Sequence, residues 1–175
     1  PQALLQSWLV YHGYQIIPPP QRSHSTDTCA YLAGGDTLRV DEHRGYVAHG
    51  HGTHSYALEH VQRHLSGRWH DIRLIHGHFR RLRDCVLFLD EQYCLAYLPA
   101  MDAMSQQRLQ DEYHVLPVSE EDAYRGICRC FVTPKGVLLP ESCWHTQALL
   151  EQHGMSYIKL ALESITGSSQ RVKKL

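Results

Sequence analysis

The sequence contains no asparagine, which excludes N-glycosylation. Its apolar runs are only a few residues long, far short of the ~20 that a membrane-spanning helix needs, and no basic-then-apolar leader opens it. Charge of neither sign dominates. Seventeen Lys and Arg against eighteen Asp and Glu leave a formal charge of -1, so neither nucleic acid nor an acidic membrane is an expected partner. The six cysteines (29, 85, 94, 128, 130 and 143) form no C-x-x-C pair, which disfavours a thiol-redox pair and a zinc ribbon. Buried, reduced thiols in a soluble, cytoplasmic protein are the expectation. Cys128 and Cys130, read as alternate residues of one strand, should face opposite ways.

What is present is a repeated pattern. QALLQSWLVYHGYQII from Gln2 and QALLEQHGMSYIKL from Gln147 each read as an amphipathic helix, a His-Gly stop and a short strand. Leu4, Leu5, Trp8 and Leu9 in the first copy, and Leu149 and Leu150 in the second, are the expected core faces. Between the copies, 37–40 and 45–48 read as a hairpin around DEHRG, followed by a helix over 55–64 and a strand over 71–75. A second hairpin, 85–89 with 93–98, precedes a helix over 105–113 capped by Ser105 and the strand HVLPV. A short helix with a Ser119 cap leads to a third hairpin, 128–133 with 136–139. The order strand, strand, helix, strand thus recurs about three times. No low-complexity linker divides it, so residues 1–175 should form one domain.

Several segments carry a resemblance to the guanidino-group modifying superfamily, which includes dimethylarginine dimethylaminohydrolase, arginine deiminase and the amidinotransferases. AGGDTL from Ala33 resembles the family's acidic-Gly-Gly-Asp-x-Leu turn, and AHGHGTHS from Ala48 its Gly-x-Gly-x-Arg-Thr stretch. FRRLRDCVLFL from Phe79 stands where the family has an aromatic residue, His-Leu-Asp-Thr and a cysteine-containing strand. LPAMD from Leu98 and SEEDAYRGICRC from Ser119 follow a bacterial branch closely. The resemblance implies an α/β fold of pentein type: a propeller of repeated ββαβ units around a substrate pocket, with about three of five blades in this chain. It further implies a C-terminal part that lacks the first blade, with an upstream segment or a protein partner covering the incomplete ring.

That family's chemistry uses a cysteine thiolate on the guanidinium carbon, a histidine for proton transfer and carboxylates for the cationic substrate. Carried over by position, the histidine's place holds Arg81, the following carboxylate's place Arg83, and the C-terminal nucleophile's place Val172. Ala33 replaces an acidic residue, His54 an arginine and Arg129 an asparagine, while Asp36 is retained. The expected ligand pocket therefore comprises Gly34, Gly35, Asp36, His54, Arg81, Arg83 and Val172, with no catalytic residue. Arg81 and Arg83 either reverse the pocket's charge so that it attracts an anion, or form a solvated rim, or pair with Asp84 or Asp36. Asp36 either binds a guanidinium or caps backbone amides in its turn.

His49, His51 and His54, with His60 and His64 one helical turn apart, invite a zinc reading, but no acidic or cysteine ligand stands at a recognisable spacing. No metal and no cofactor are expected. The functional expectation is a catalytically inactive family member that binds a small molecule in the central pocket and acts as a binding or regulatory module. The alternative is an active hydrolase or transferase on a guanidino or related small molecule, using His51, His54 or a cysteine with Asp36.

Overall fold

The structure is a computed structural model and describes residues 2–17 and 32–161. Three three-stranded sheets succeed one another along the chain. The first contains β1 (Thr37–Arg39), β2 (Arg44–His49) and β3 (Arg68–Arg73), with α2 (Ala57–His64) between β2 and β3 and α1 (Gln2–Tyr11) ahead of them. The second contains β4 (Val86–Phe88), β5 (Tyr93–Ala96) and β6 (His114–Pro117), with α3 (Ala103–Glu112) before β6. After α4 (Glu120–Tyr124), the third contains β7 (Phe131–Thr133), β8 (Gly136–Pro140) and β9 (Tyr157–Leu160), with α5 (Trp144–Gln152) before β9.

Each sheet has its second strand in the middle. The first two strands pair antiparallel across a hairpin, and the second and third pair parallel. Parallel neighbours need a long crossover, which is why a helix always intervenes at that point. The middle strands are covered on both faces: Gly45, Tyr46, Val47 and Ala48 of β2 are consecutively buried, so simple alternation is lost there.

Turn chemistry fixes the hairpins. The Asp41 carboxylate accepts the amides of His43 and Arg44 at 2.7 and 2.8 Å, and Asp90 does the same for Gln92 and Tyr93 at 2.7 and 2.8 Å. These Asx turns hold equivalent corners of the first and second sheets. In the third, Gly136 has φ +129°, and a Cβ there would lie 2.4 Å from the Ser156 carbonyl oxygen, so only glycine fits.

One core runs from the first sheet to the third and includes Tyr46, Ile72, Leu95, Met101, Leu139 and Leu150. Tyr46 joins two sheets: its ring stacks on Phe88 at 5.3 Å, and its hydroxyl donates to Glu112 at 2.5 Å. Burial, followed by the Glu112 carboxylate, pushes the Tyr46 hydroxyl far above the ordinary phenol range. A smaller cluster, Val47, Ala57, Val61 and Trp69, lies under α2. No helix among the described residues is long and apolar enough to cross a membrane.

Several boundaries depart from the sequence reading. Asp102, not Ser105, caps α3, accepting the Ser105 amide at 2.9 Å. The Ser105 hydroxyl instead accepts the Arg73 amide at 2.9 Å, holding the helix to β3. β3 begins three residues earlier than expected because Arg68 is the partner of Arg44 at the start of β2. Residues 127–129 form a 3-10 turn, and β7 starts only at Phe131. Cys128 and Cys130 therefore do not alternate across a strand.

The expected core face of α1 is exposed: Leu4, Leu5 and Trp8 are 77%, 58% and 54% accessible, and Leu9 is half-buried. Residues 14–17 follow Gly13 at φ +81° but form no strand. The matching segment after α5 does form one, because β9 has β8 to pair with. The pattern is the same, and the difference is the hairpin alongside.

Truncating the wholly buried Leu95 to Ala should cost about 2–5 kcal/mol in urea denaturation, whereas Leu4→Ala should change stability by less than about 0.5 kcal/mol. Gly136→Ala should cost at least ~1 kcal/mol, since it combines a positive φ with a backbone clash. A neutral result at Leu95 would contradict the core described above.

Candidate functional site

The turn at Ala33–Asp36 is built around a buried carboxylate. Asp36 is 1% exposed. Its Oδ2 accepts from the Thr53 hydroxyl at 2.7 Å and its Oδ1 from the Leu82 amide at 3.2 Å. Thr53 in turn accepts the Ala33 amide at 2.9 Å, and the Arg83 amide donates to the Gly35 carbonyl at 3.1 Å. Three loops, at 33–36, around Thr53 and at 81–84, are thus tied at one point. Asp36 does more than cap its own turn, and both its oxygens are engaged by the protein.

The 3-10 turn Leu82–Asp84 then sets the neighbouring side chains. Leu82 and Asp84 are buried, while Arg81 and Arg83 are exposed on either side of Leu82. Their stems close over Gly35, where a Cβ would lie 2.9 Å from Arg83 Cδ and 3.0 Å from Arg81 Cδ. Neither guanidinium pairs with a carboxylate among the described residues. The salt bridges considered for them do not form, because Asp84 accepts from Arg129 Nε at 2.8 Å and Asp36 is held by Thr53 and Leu82. The Asp84 contact holds the Arg129 guanidinium even more firmly protonated.

A cavity of about 310 Å³ opens beside these arginines. The first sheet's side contributes Gly34 and residues 38–40, the second Arg83 and Val86–Phe88, and the third residues 128–131. The first strands β1, β4 and β7 all reach this one space.

Of the expected pocket residues, Gly34 and Arg83 line the cavity. Gly35 packs under the Arg81 and Arg83 stems without lining it, and Asp36 is enclosed. His54 belongs to a different hollow, with His49, His51, Thr53, Ser55 and Arg73. There its ring stacks on Tyr56 at 4.6 Å and accepts the Tyr56 amide at 3.3 Å. Val172 lies outside the described residues. Arg39, which also lines the cavity, was not singled out from the sequence, where it is only an exposed position on a short strand.

Nucleophilic chemistry needs an activated group, and the thiols of the described residues are the reverse of activated. Burial, then the nearby Asp84 and Asp36 carboxylates, pushes the Cys85 thiol up to about 12. Burial takes Cys94 and Cys143 to about 12 and Cys130 to about 11, and raises the enclosed Cys128 well above its ordinary value. Among the described residues, no group of three or more His, Cys, Asp or Glu side chains is placed to hold a metal ion. His60 and His64 lie 4.7 Å apart, ring to ring, and burial followed by the His64 and Arg63 charges lowers the His60 pKa.

No family model matches the chain, and no curated protein matches it. Solved structures do. The N-terminal domain of ArgZ, an arginine dihydrolase from the ornithine-ammonia cycle in cyanobacteria, is 20% identical with a TM-score of 0.75, covering 88% of this chain and 56% of that domain. AgrE, solved with ornithine and NAD+, is 19% identical with a TM-score of 0.77, covering 92% of this chain and 23% of that one. DDAH from Pseudomonas aeruginosa, complexed with citrulline, is 21% identical with a TM-score of 0.55, covering 72% and 47%. This chain therefore spans about half the length of the ArgZ domain it matches. At these identities the likeness is one of fold: the fold of this chain is similar to that of ArgZ, AgrE and DDAH.

Proposed function

We propose that this protein is a pentein-fold binding or regulatory module that does not carry out thiol-based guanidine chemistry. The observation that supports this most is the state of the thiols: all five cysteines among the described residues have their pKa raised by burial. The resemblance adds that Arg81 and Arg83 stand where a proton-transfer histidine and a substrate carboxylate would be, and Val172 where a nucleophile would be. Both arginines carry fixed positive charge and cannot serve as a general base at neutral pH.

The ligand site in this reading is the cavity reached by β1, β4 and β7. Three sheets of identical topology meeting there by their first strands support a radial, propeller-like arrangement of ββαβ blades, about three of five. In this reading the described residues belong to one such domain. The exposed apolar face of α1 supports a further blade or partner against it. The active-enzyme alternative gains little from the geometry, because Asp36 bonds to Thr53 and the Leu82 amide, and His54 lies in a separate hollow.

Two experiments test the reading. Pure protein incubated with L-arginine or a methylarginine should release no ornithine, citrulline, ammonia or amine above the uncatalysed rate; turnover abolished by a single pocket substitution defeats the proposal. In a Cys29→Ser background, iodoacetamide at neutral pH should alkylate the remaining five thiols on the order of a hundredfold more slowly in the native protein than in urea. One rapidly alkylated native cysteine would instead reveal an activated thiolate.

A further inference from the structure

We propose that the cavity between the three sheets is a site for a small carboxylate with an apolar body, bound through Arg83 and Arg129. The inference rests on the binding-module reading and names the class of ligand.

Charge is the first argument. Arg39, Arg83 and Arg129 line the cavity, and among the described residues no acidic one does. Arg39 is already committed to backbone, donating to the Asp41 carbonyl at 3.0 Å and the Glu42 carbonyl at 2.7 Å. Arg129 gives its Nε–H to Asp84 and keeps its remaining guanidinium N–H groups. Arg83 has no side-chain partner among the described residues, so its whole fork is available. Asp84 pairs with Arg129 and with no other guanidinium group among the described residues, and Arg81 adds another positive charge beside Gly35. A bound anion accepting from Arg83 and Arg129 would supply the missing countercharge, and guanidinium is the donor best matched to a carboxylate's two oxygens.

The walls are the second argument. Leu38, Val40, Val86, Leu87, Phe88 and Phe131 provide apolar surface next to the arginines. Phe131 is 70% exposed at the start of β7, an unfavourable position for a large ring unless something covers it. A space of about 310 Å³ stands at the small end of ligand pockets. A free inorganic anion would leave the apolar walls bare, and an apolar cation would meet like charge. A compact apolar carboxylate satisfies both sides.

Phenylacetate, its neutral amide phenylacetamide, and inorganic phosphate are the probes, titrated calorimetrically into the full chain at low salt. Phenylacetate should bind one per chain, and phenylacetamide at least roughly tenfold more weakly, since hydrogen bonds to charged groups are the stronger kind. Arg83→Gln should weaken phenylacetate roughly tenfold or more with the melting temperature unchanged, because the exposed Arg83 side chain has no partner to lose. Phe131→Ala, also at an exposed position, should weaken it severalfold without weakening phosphate. The site is overturned if phenylacetate fails to bind, if the amide binds equally well, if phosphate binds as tightly, or if neither substitution alters the affinity. Hydrolysis of L-arginine would overturn the non-catalytic reading whatever the calorimetry shows, whereas absent phenylacetate binding would remove this site and leave that reading standing.

Discussion

The arrangement of the molecule depends on one buried carboxylate. A charge as enclosed as Asp36 is tolerated only when its oxygens are met by donors. The donors come from two distant loops, Thr53 and the Leu82 amide. Meeting that requirement fixes the 33–36 turn against the entry to the second sheet, which apolar contact alone would not orient. It also sets the 3-10 turn at 82–84, and through it the direction of four consecutive side chains, two inward and two outward. Asp84, one of the inward pair, then reaches Arg129 in the connection to the third sheet. Two carboxylates, each bridging one sheet boundary, position the three sheets around a common cavity.

The charge of that cavity follows from the same geometry. Alternation through Arg81, Leu82, Arg83 and Asp84 sends both guanidinium groups outward, and Asp84 is occupied in holding Arg129. Two unit charges ~4 Å apart interact by about 4 kcal/mol at an effective dielectric of ~20. An uncompensated guanidinium group in a shared pocket therefore shifts ligand preference strongly. A cavity lined by Arg39, Arg83 and Arg129 is matched in charge to an anion rather than to a cation, although the fold around it is similar to that of an arginine dihydrolase. A shared fold does not by itself fix the charge that its cavity carries.

What was legible in the sequence was what local rules decide. Asx and glycine turns marked the hairpins, helical periodicity marked the crossovers, and Ser119 capped α4 as read, accepting the Asp122 amide at 3.2 Å. Local rules failed where two candidates competed. Asp102 and Ser105 are both good caps, and the choice fell to Asp102 because Ser105 is needed by the Arg73 amide across the sheet. They failed again at Cys128, where a β-like composition is bent into a 3-10 turn before the ladder begins. The amphipathic pattern of α1 correctly marked an apolar face but could not say what covers it, since periodicity describes one element and burial requires two. Of the residues that line the cavity, Gly34 and Arg83 are ones the resemblance points to. Arg39 is not, because the cavity is assembled from three sheets and no single segment shows that its strand reaches it.

The thiols and the arginines are two outcomes of one rule about burial. Enclosure disfavours the charged form of a cysteine, so Cys85 and Cys128, packed beneath the sheets, are held as neutral side chains of the core. Arginine does not lose its proton under comparable pressure, so Arg81 and Arg83 stay at the surface with their stems packed over Gly35. Activating one of the described thiols would require it to leave the core, because enclosure disfavours the thiolate. The cavity is thus bounded by arginine side chains and apolar walls, and the buried Asp36 holds the adjoining turn in place.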